Sequence, residues 1–212
     1  MRRVETDGRL LVISEGTSNM KKQTLIKERL RESIAVKERI IANESLMNMI
    51  ADLSEKIVHV IESGNKLVLC GNGGSASDAL HFAGEIVGRF QKERSGWPAV
   101  VLNADMATMT AVANDYGYEN VFARQAEGHV CPGDLFFGIT TSGNSENVIR
   151  AAIVANEKGA YTAGLLGKDG GKMKDIVDYP IVVACNNTAR VQESHICIIH
   201  ILCELIEEGL TN

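Results

Sequence analysis

The chain has 212 residues, enough for one large domain, and 45% of them are apolar, enough for a substantial core. Its net charge of −5 argues against a nucleic-acid or anionic-membrane surface, and no apolar run is long enough to span a bilayer. The five cysteines, at 70, 131, 185, 197 and 203, lack metal-ligand spacing and read as the reduced thiols of a cytoplasmic protein.

Residues 1–19 read as an appendage, punctuated by Gly, Ser, Thr and Asn and expected to be partly disordered. The start, "MRRVETDGRLLVISEG", is basic, but its short apolar stretch makes a poor signal peptide. Residues 20–212 read as a single domain that includes N-terminal helices within 24–62. Leu25, Leu30, Ile34 and Ile41 give an apolar stripe over 24–41, and the pattern repeats over 46–61, with Gly64 just past its end.

After residue 64 the texture changes. Apolar runs at 66–70, 98–102, 134–139, 161–166 and 180–185 predict strands covered on both faces. Helical patterns fall at 75–88, 107–126, 145–158 and 188–208. This alternation predicts an α/β fold with a parallel sheet covered by helices.

Two strand-to-helix turns carry the chemistry. "CGNGGSASD" sets Gly71, Gly73 and Gly74 between a strand and a helix, where close backbone approach and unpaired helix N–H groups suit an anion. Ser75 reads as a helix cap or a phosphate ligand. The run is neither a dinucleotide fingerprint, since Ala76 stands where a third glycine belongs, nor a P-loop, since no G-K-[ST] follows. "FGITTSGNSENVI" repeats the arrangement with Thr140, Thr141, Ser142 and Ser145 at one strand end. Simple capping accounts for one hydroxyl there, so phosphate binding is the better reading. The third turn, "GKDGGKM" at 167–173, reads as structural.

His81 and Glu85 share a helix face by i,i+4 spacing and are candidates for proton transfer, although such pairs are commonly plain helix contacts. The last helix is strongly apolar yet holds His195 and His200, with Gln192 near its start. His200, flanked by Ile199 and Ile201, needs a hydrogen-bond partner; a satisfied core histidine is the plain alternative. Gln192 and His200 lie roughly 80° apart around the helix axis, so they border one cleft only if it is long. His81, Glu85, Gln192 and His200 could also collect a divalent metal, though not at a zincin spacing.

Five blocks in order, "LCGNGGSASDALHFAGEIVGRF", "AVANDYGYENVFARQ", "GITTSGNSENVIRA", "GLLGKDGGKM" and "ARVQESHICIIHILCELIE", resemble the bacterial phosphoheptose isomerases of the sugar-isomerase (SIS) domain family over residues 24–208. The resemblance implies a flavodoxin-like three-layer sandwich and a cytoplasmic homotetramer with active sites at subunit interfaces. It implies conversion of D-sedoheptulose 7-phosphate to D-glycero-D-manno-heptose 7-phosphate at the head of a surface-glycan heptose pathway, with no organic cofactor. By motif position, Glu85 matches the catalytic base and His200 its partner acid, and His81 and Gln192 join them around a zinc ion. Ser75, Thr140, Thr141, Ser142 and Ser145 match the phosphate set, with Gly73 and Gly74 in the same turn. Asn72, Asn103 and Asp105 resemble sugar-site residues. Some members carry Asp three residues before the glutamine, where this chain has Ala189. Two competing readings are an aldose–ketose isomerase for another sugar phosphate, and a non-catalytic SIS protein that binds the replication initiator or senses a sugar phosphate. Retention of Glu85 and His200 argues against the latter.

Overall fold

The computed structural model describes residues 5–6, 9–10 and 15–211. Of the expected appendage, Glu5–Thr6 and Arg9–Leu10 pair antiparallel. The expectation of disorder in 1–4, 7–8 and 11–14 lies outside the described residues.

Helix α1 spans Glu15–Ile41, nine residues earlier than the apolar stripe predicts. Once a helix is nucleated, each added residue costs only its propensity, so the weak formers at 15–19 follow the helix already set downstream. Helix α2 (Glu44–Glu62) is capped by Asn43, whose side chain accepts from the Leu46 N–H.

Five strands follow: β1 (Leu67–Gly71), β2 (Ala99–Val101), β3 (Leu135–Thr140), β4 (Tyr161–Gly167) and β5 (Tyr179–Val183). They form one all-parallel sheet in the order β2-β1-β3-β4-β5. This is the flavodoxin-like order, in which the strand sequence reverses between β1 and β3 and leaves a crevice at their carboxyl ends. Strands β1 and β3 are wholly buried, but edge strand β2 is half-buried throughout and β5 in part, so coverage on both faces holds only for the middle of the sheet.

Helices α3 (Gly74–Val87), α4 (Met106–Tyr116), α5 (Val121–His129), α6 (Glu146–Glu157) and α7 (Thr188–Thr211) complete the layers. Alternation along the strands divides the core. Leu67, Leu69 and Phe137 face α2, α3 and α7, while Val68, Cys70 and Phe136 face α4, α5 and α6. The single helix predicted at 107–126 is broken. Gly117 takes φ +87°, ends α4 and starts a short 3-10 turn, Tyr118–Asn120, before α5. The break turns Tyr118 toward the carboxyl end of the sheet, where it reaches Asn72.

Phe82 of α3 packs edge-to-face on Phe137 of β3, with centroids 5.2 Å apart and both rings fully buried. This contact anchors the helix carrying His81 and Glu85 to the strand that leads into the hydroxyl-rich turn. Among the described residues no helix is long and apolar enough to cross a membrane. All five cysteines are free thiols; Cys70 and Cys203 are buried, Cys185 and Cys197 partly so, and Cys131 is exposed.

Candidate active site

The two turns predicted from sequence emerge side by side at the strand-order reversal. After β1, Gly73 (φ +55°) is the N-cap of α3. Ser75 therefore lies inside the first turn and, contrary to the sequence reading, does not cap the helix; it is buried beneath the turn. Gly74 lets Gln192 come close: a Cβ there would meet the Gln192 side-chain amide where it now lies. The helix-7 glutamine thus lies directly on the glycine turn, eight positions before His200.

After β3, Thr140 Oγ1 lies 2.8 Å from Ser145 Oγ and 3.3 Å from Ser142 Oγ. Ser145 occupies the N-cap position of α6, yet its side chain makes no capping hydrogen bond. Ser142 Oγ accepts from the Asn144 N–H at 3.1 Å. The hydroxyls therefore serve one another and the helix entrance rather than terminating the helix. The third turn buttresses this one, in keeping with its structural reading. The Met173 N–H donates to Gly143 O at 3.0 Å and the Lys172 N–H to Asn144 Oδ1 at 3.1 Å. Gly143 has φ +65°, and a Cβ there would strike Gly170 O.

Asn72 ties the two turns together. Its Oδ1 accepts from Tyr118 Oη at 2.8 Å and from Asn147 Nδ2 at 3.0 Å, while its Nδ2 donates to Asn147 Oδ1 at 2.9 Å. Asn103 holds the glycine turn: its Oδ1 accepts from the Gly71 N–H at 3.3 Å and its Nδ2 donates to Ala76 O at 3.4 Å. Asp105 is the N-cap of α4, accepting from the Ala107 and Thr108 N–H groups and from the Thr108 hydroxyl. The Thr108 hydroxyl, then backbone donors, hold its carboxyl below the usual range. Gly71, Asn72, Gly73, Asn103, Met106 and Tyr118 line part of an open cleft of about 400 Å³. Tyr118 and Asn147 escaped the sequence reading. Their pattern signals are only a tyrosine after a glycine and an asparagine in a first helical turn.

The titratable centre joins α3 and α7. His81 Nε2 lies 3.0 Å from Glu85 Oε1, and His200 Nε2 lies 3.4 Å from His81 Nε2. One ligand atom from each of His81, Glu85 and His200 falls within 4.8 Å of the other two. His81 is exposed, and Glu85 and His200 are half-buried. A carboxylate oxygen only accepts, and His81 Nε2 carries at most one proton. Three lone-pair atoms thus converge with too few protons to join them all, which is the chemistry of a cation site. Two imidazoles and a carboxylate match the donor types zinc takes. Asp78, one turn before His81 and Phe82, also escaped notice: burial lifts its carboxyl to about 6 against an opposing pull from His81, and its Oδ2 is buried without a partner.

His195, not His200, is the core histidine, and it is only half satisfied: its Nδ1 is buried without a partner. It is fully buried and its Nε2 donates to Leu166 O at 3.1 Å. Burial drives its pKa down to about 4.

A doubly wound parallel sheet with hydroxyl and glycine turns at its reversal point, beside a histidine–glutamate centre, is the framework of a sugar-phosphate-handling α/β protein. The SIS domain model matches residues 28–167. The chain is 50% identical over 188 residues to a phosphoheptose isomerase of Trichlorobacter lovleyi, covering 89% of this chain and 95% of that protein. It is 49% identical over 185 residues to the phosphoheptose isomerase of Aneurinibacillus thermoaerophilus, covering 87% and 93%. The solved phosphoheptose isomerase of Neisseria gonorrhoeae superimposes with a TM-score of 0.83 at 36% identity, over 88% of this chain and 98% of that one. The chain belongs to the SIS-domain family and, within it, to the phosphoheptose isomerases.

Proposed function

We propose that this protein is a cytoplasmic isomerase that interconverts D-sedoheptulose 7-phosphate and D-glycero-D-manno-heptose 7-phosphate through an enediolate, as a homotetramer with its sites at subunit interfaces. The observation that carries the reading is the meeting of Glu85 and His200, from helices distant in sequence, at one point beside α3. The phosphate sits at the hydroxyl turn, held by Thr140, Thr141, Ser142 and Ser145 with Ser75 and the glycine-turn amides. A remote charge pinned there orients the reacting carbons as well as supplying affinity.

Glu85 removes a proton from C1 of the open-chain ketose. The electrons flow toward the C2 carbonyl and form an enediolate; the carboxyl group then returns a proton to C2, and His200 moves the hydroxyl proton between O2 and O1. Gln192, which lies against Gly74, meets the sugar between the phosphate and the reacting carbons. Asn72, Asn103 and Asp105 shape the sugar pocket chiefly by fixing its turns. His81, Glu85, His200 and Gln192 would hold a zinc ion. Such an ion, when bound, polarises the sugar oxygens and lowers the energy of developing negative charge. In the single chain His81 stands open to solvent, and an enediolate needs shelter from water, which supports closure of the site by a partner subunit.

The test is proton-exchange NMR of the purified protein in D₂O with sedoheptulose 7-phosphate, run with and without chelator and against a C6 ketose phosphate. The expected result is deuterium at C2 of the heptose product and a clear preference for the C7 substrate. Faster turnover of the C6 sugar would overturn the substrate, and no exchange in metal-replete protein would overturn the reaction.

A further inference from the structure

The segment between α3 and β2 meets His200 through Phe90 and is held by a buried ion pair that no proton-transfer step uses. Glu207, on α7 two turns beyond His200, is almost wholly buried. Its carboxylate accepts from the N–H groups of Phe90 at 3.2 Å and of Gln91 and Lys92 at 2.8 Å, and from Arg94 Nε at 3.0 Å. The Arg94 guanidinium then turns back to the end of α3. Its Nη2 donates to Glu85 O at 2.8 Å and its Nη1 to Ile86 O at 3.0 Å, while its face lies over the Trp97 ring. These are the orphan carbonyls of the last turn of α3, the turn that carries Glu85. One ion pair therefore ties the end of α3, at Glu85, to α7 two turns beyond His200.

The same pinned segment delivers an aromatic ring to the imidazole. Phe90 stacks on His200, with centroids 5.9 Å apart and planes at 28°, while His81 meets the imidazole edge-on at 5.0 Å. A histidine on a helix surface otherwise rotates freely about χ2, and an imidazole that has turned away cannot bridge two sugar oxygens.

We propose that Phe90 is a positioning residue for His200, held in place by the Arg94–Glu207 clamp, and that it sets how often the imidazole faces the sugar oxygens. The inference rests on the reading of His200 as the group that moves the hydroxyl proton. Phe90 is part-buried at the margin of the core, and leucine in its place keeps an apolar side chain there while removing the ring.

The experiment uses the full-length protein and the variants Phe90→Leu, Phe90→Tyr, Glu207→Gln and His200→Gln. It measures kcat and KM with sedoheptulose 7-phosphate, together with the imidazole C–H resonances of His200. Phe90→Leu lowers kcat about tenfold, the equivalent of ~1.4 kcal/mol, with KM changed less than twofold. The His200 resonances lose the ring-current shift of the stacked phenyl group. Phe90→Tyr restores both. Glu207→Gln, if it folds, reproduces the loss in kcat and the same resonance shift; if it does not fold, the two Phe90 variants decide the matter alone. A normal kcat in Phe90→Leu with displaced resonances overturns the positioning role, and unmoved resonances overturn the contact itself. His200→Gln at the parent rate overturns the role of His200 while leaving the stacking result readable.

Discussion

Glutamine at position 85 keeps the shape of the side chain and an oxygen facing His81 but takes away the proton acceptor. Glu85→Gln is therefore expected to lower kcat about a thousandfold, within the range that general bases contribute, while substrate binding changes little. Isotope exchange at C1 and calorimetric titration with substrate check the two halves separately. A variant that keeps a tenth of the parent rate would show that the base lies elsewhere. Ser145 gives a complementary test. Its hydroxyl pairs with Thr140 and bonds no helix N–H, so its loss removes a phosphate donor without uncapping α6. Ser145→Ala is expected to raise KM roughly tenfold, the worth of one hydrogen bond to a charged group, with the thermal midpoint nearly unchanged. A fall in stability with KM unaltered would mean the hydroxyl serves the fold and not the substrate.

At the level of elements, what could be read from the chain follows the distance over which the determining contacts act. The central strands declare themselves because both faces are buried, so their apolar runs are continuous: 66–70 and 134–139 became Leu67–Gly71 and Leu135–Thr140. The glycine and hydroxyl turns are legible for a similar reason, since their chemistry lies within a few consecutive residues. The break at Gly117 was not, because one glycine inside a helical pattern is ordinarily tolerated, and only the reach of Tyr118 to Asn72 favours the bend. The meeting of His200 with His81, 119 residues apart, is set by how α3 and α7 pack across one face of the sheet. Periodicity marks each helix but not which of its polar residues face each other; only the resemblance to a known family placed them together.

Helix α7 also carries a pH liability that local pattern does not reveal. The His195 pKa falls from an ordinary 6.5 to about 4 in the folded chain because burial disfavours its charged form. The unfolded chain thus binds the extra proton first. The stabilisation is whole above pH 6.5 and is lost progressively as pH falls toward 4, an effect on the order of 3 kcal/mol. Glu207 adds to the loss at lower pH. Burial pushes its carboxyl up, but the Gln91, Lys92 and Phe90 N–H groups and Arg94 outweigh that and hold it below the usual range, so its stabilisation disappears as the carboxylate is protonated. Urea unfolding of the parent between pH 7 and pH 4 should show a steep decline. His195→Gln, which can still donate to Leu166 O, should flatten the upper part of it. Equal slopes in the two proteins would mean that the imidazole is not the group responsible.

At the scale of the whole molecule, the single chain leaves apolar surface uncovered. Along α1, Leu25, Ile26, Leu30, Ile34 and Ile41 stand 49%, 58%, 60%, 55% and 71% exposed, while Val36 is buried in the core and Ile40 packs against it. Ile26, Leu30, Ile34 and Ile41 recur at helical spacing, which makes a stripe and not scattered exceptions. On α3, Leu80 and Val87 are about half exposed on either side of Glu85. Seven residues apart, these two share a second apolar face on the helix that carries His81 and Glu85. Each such half-exposed side chain, once covered, contributes about 1–2 kcal/mol, and the repeated stripes of a symmetric assembly add up against the cost of association. The homotetramer we propose would use the α1 stripe as its adhesive and would cover His81 in the process. Light scattering of the parent should then give four chains. The double variant Leu30→Glu/Ile34→Glu should give smaller species and, although its own core is untouched, should lose turnover in the same concentration range in which it dissociates. A dissociated variant with parent kcat would show that each chain carries a whole site, and the shared-interface reading would have to be abandoned.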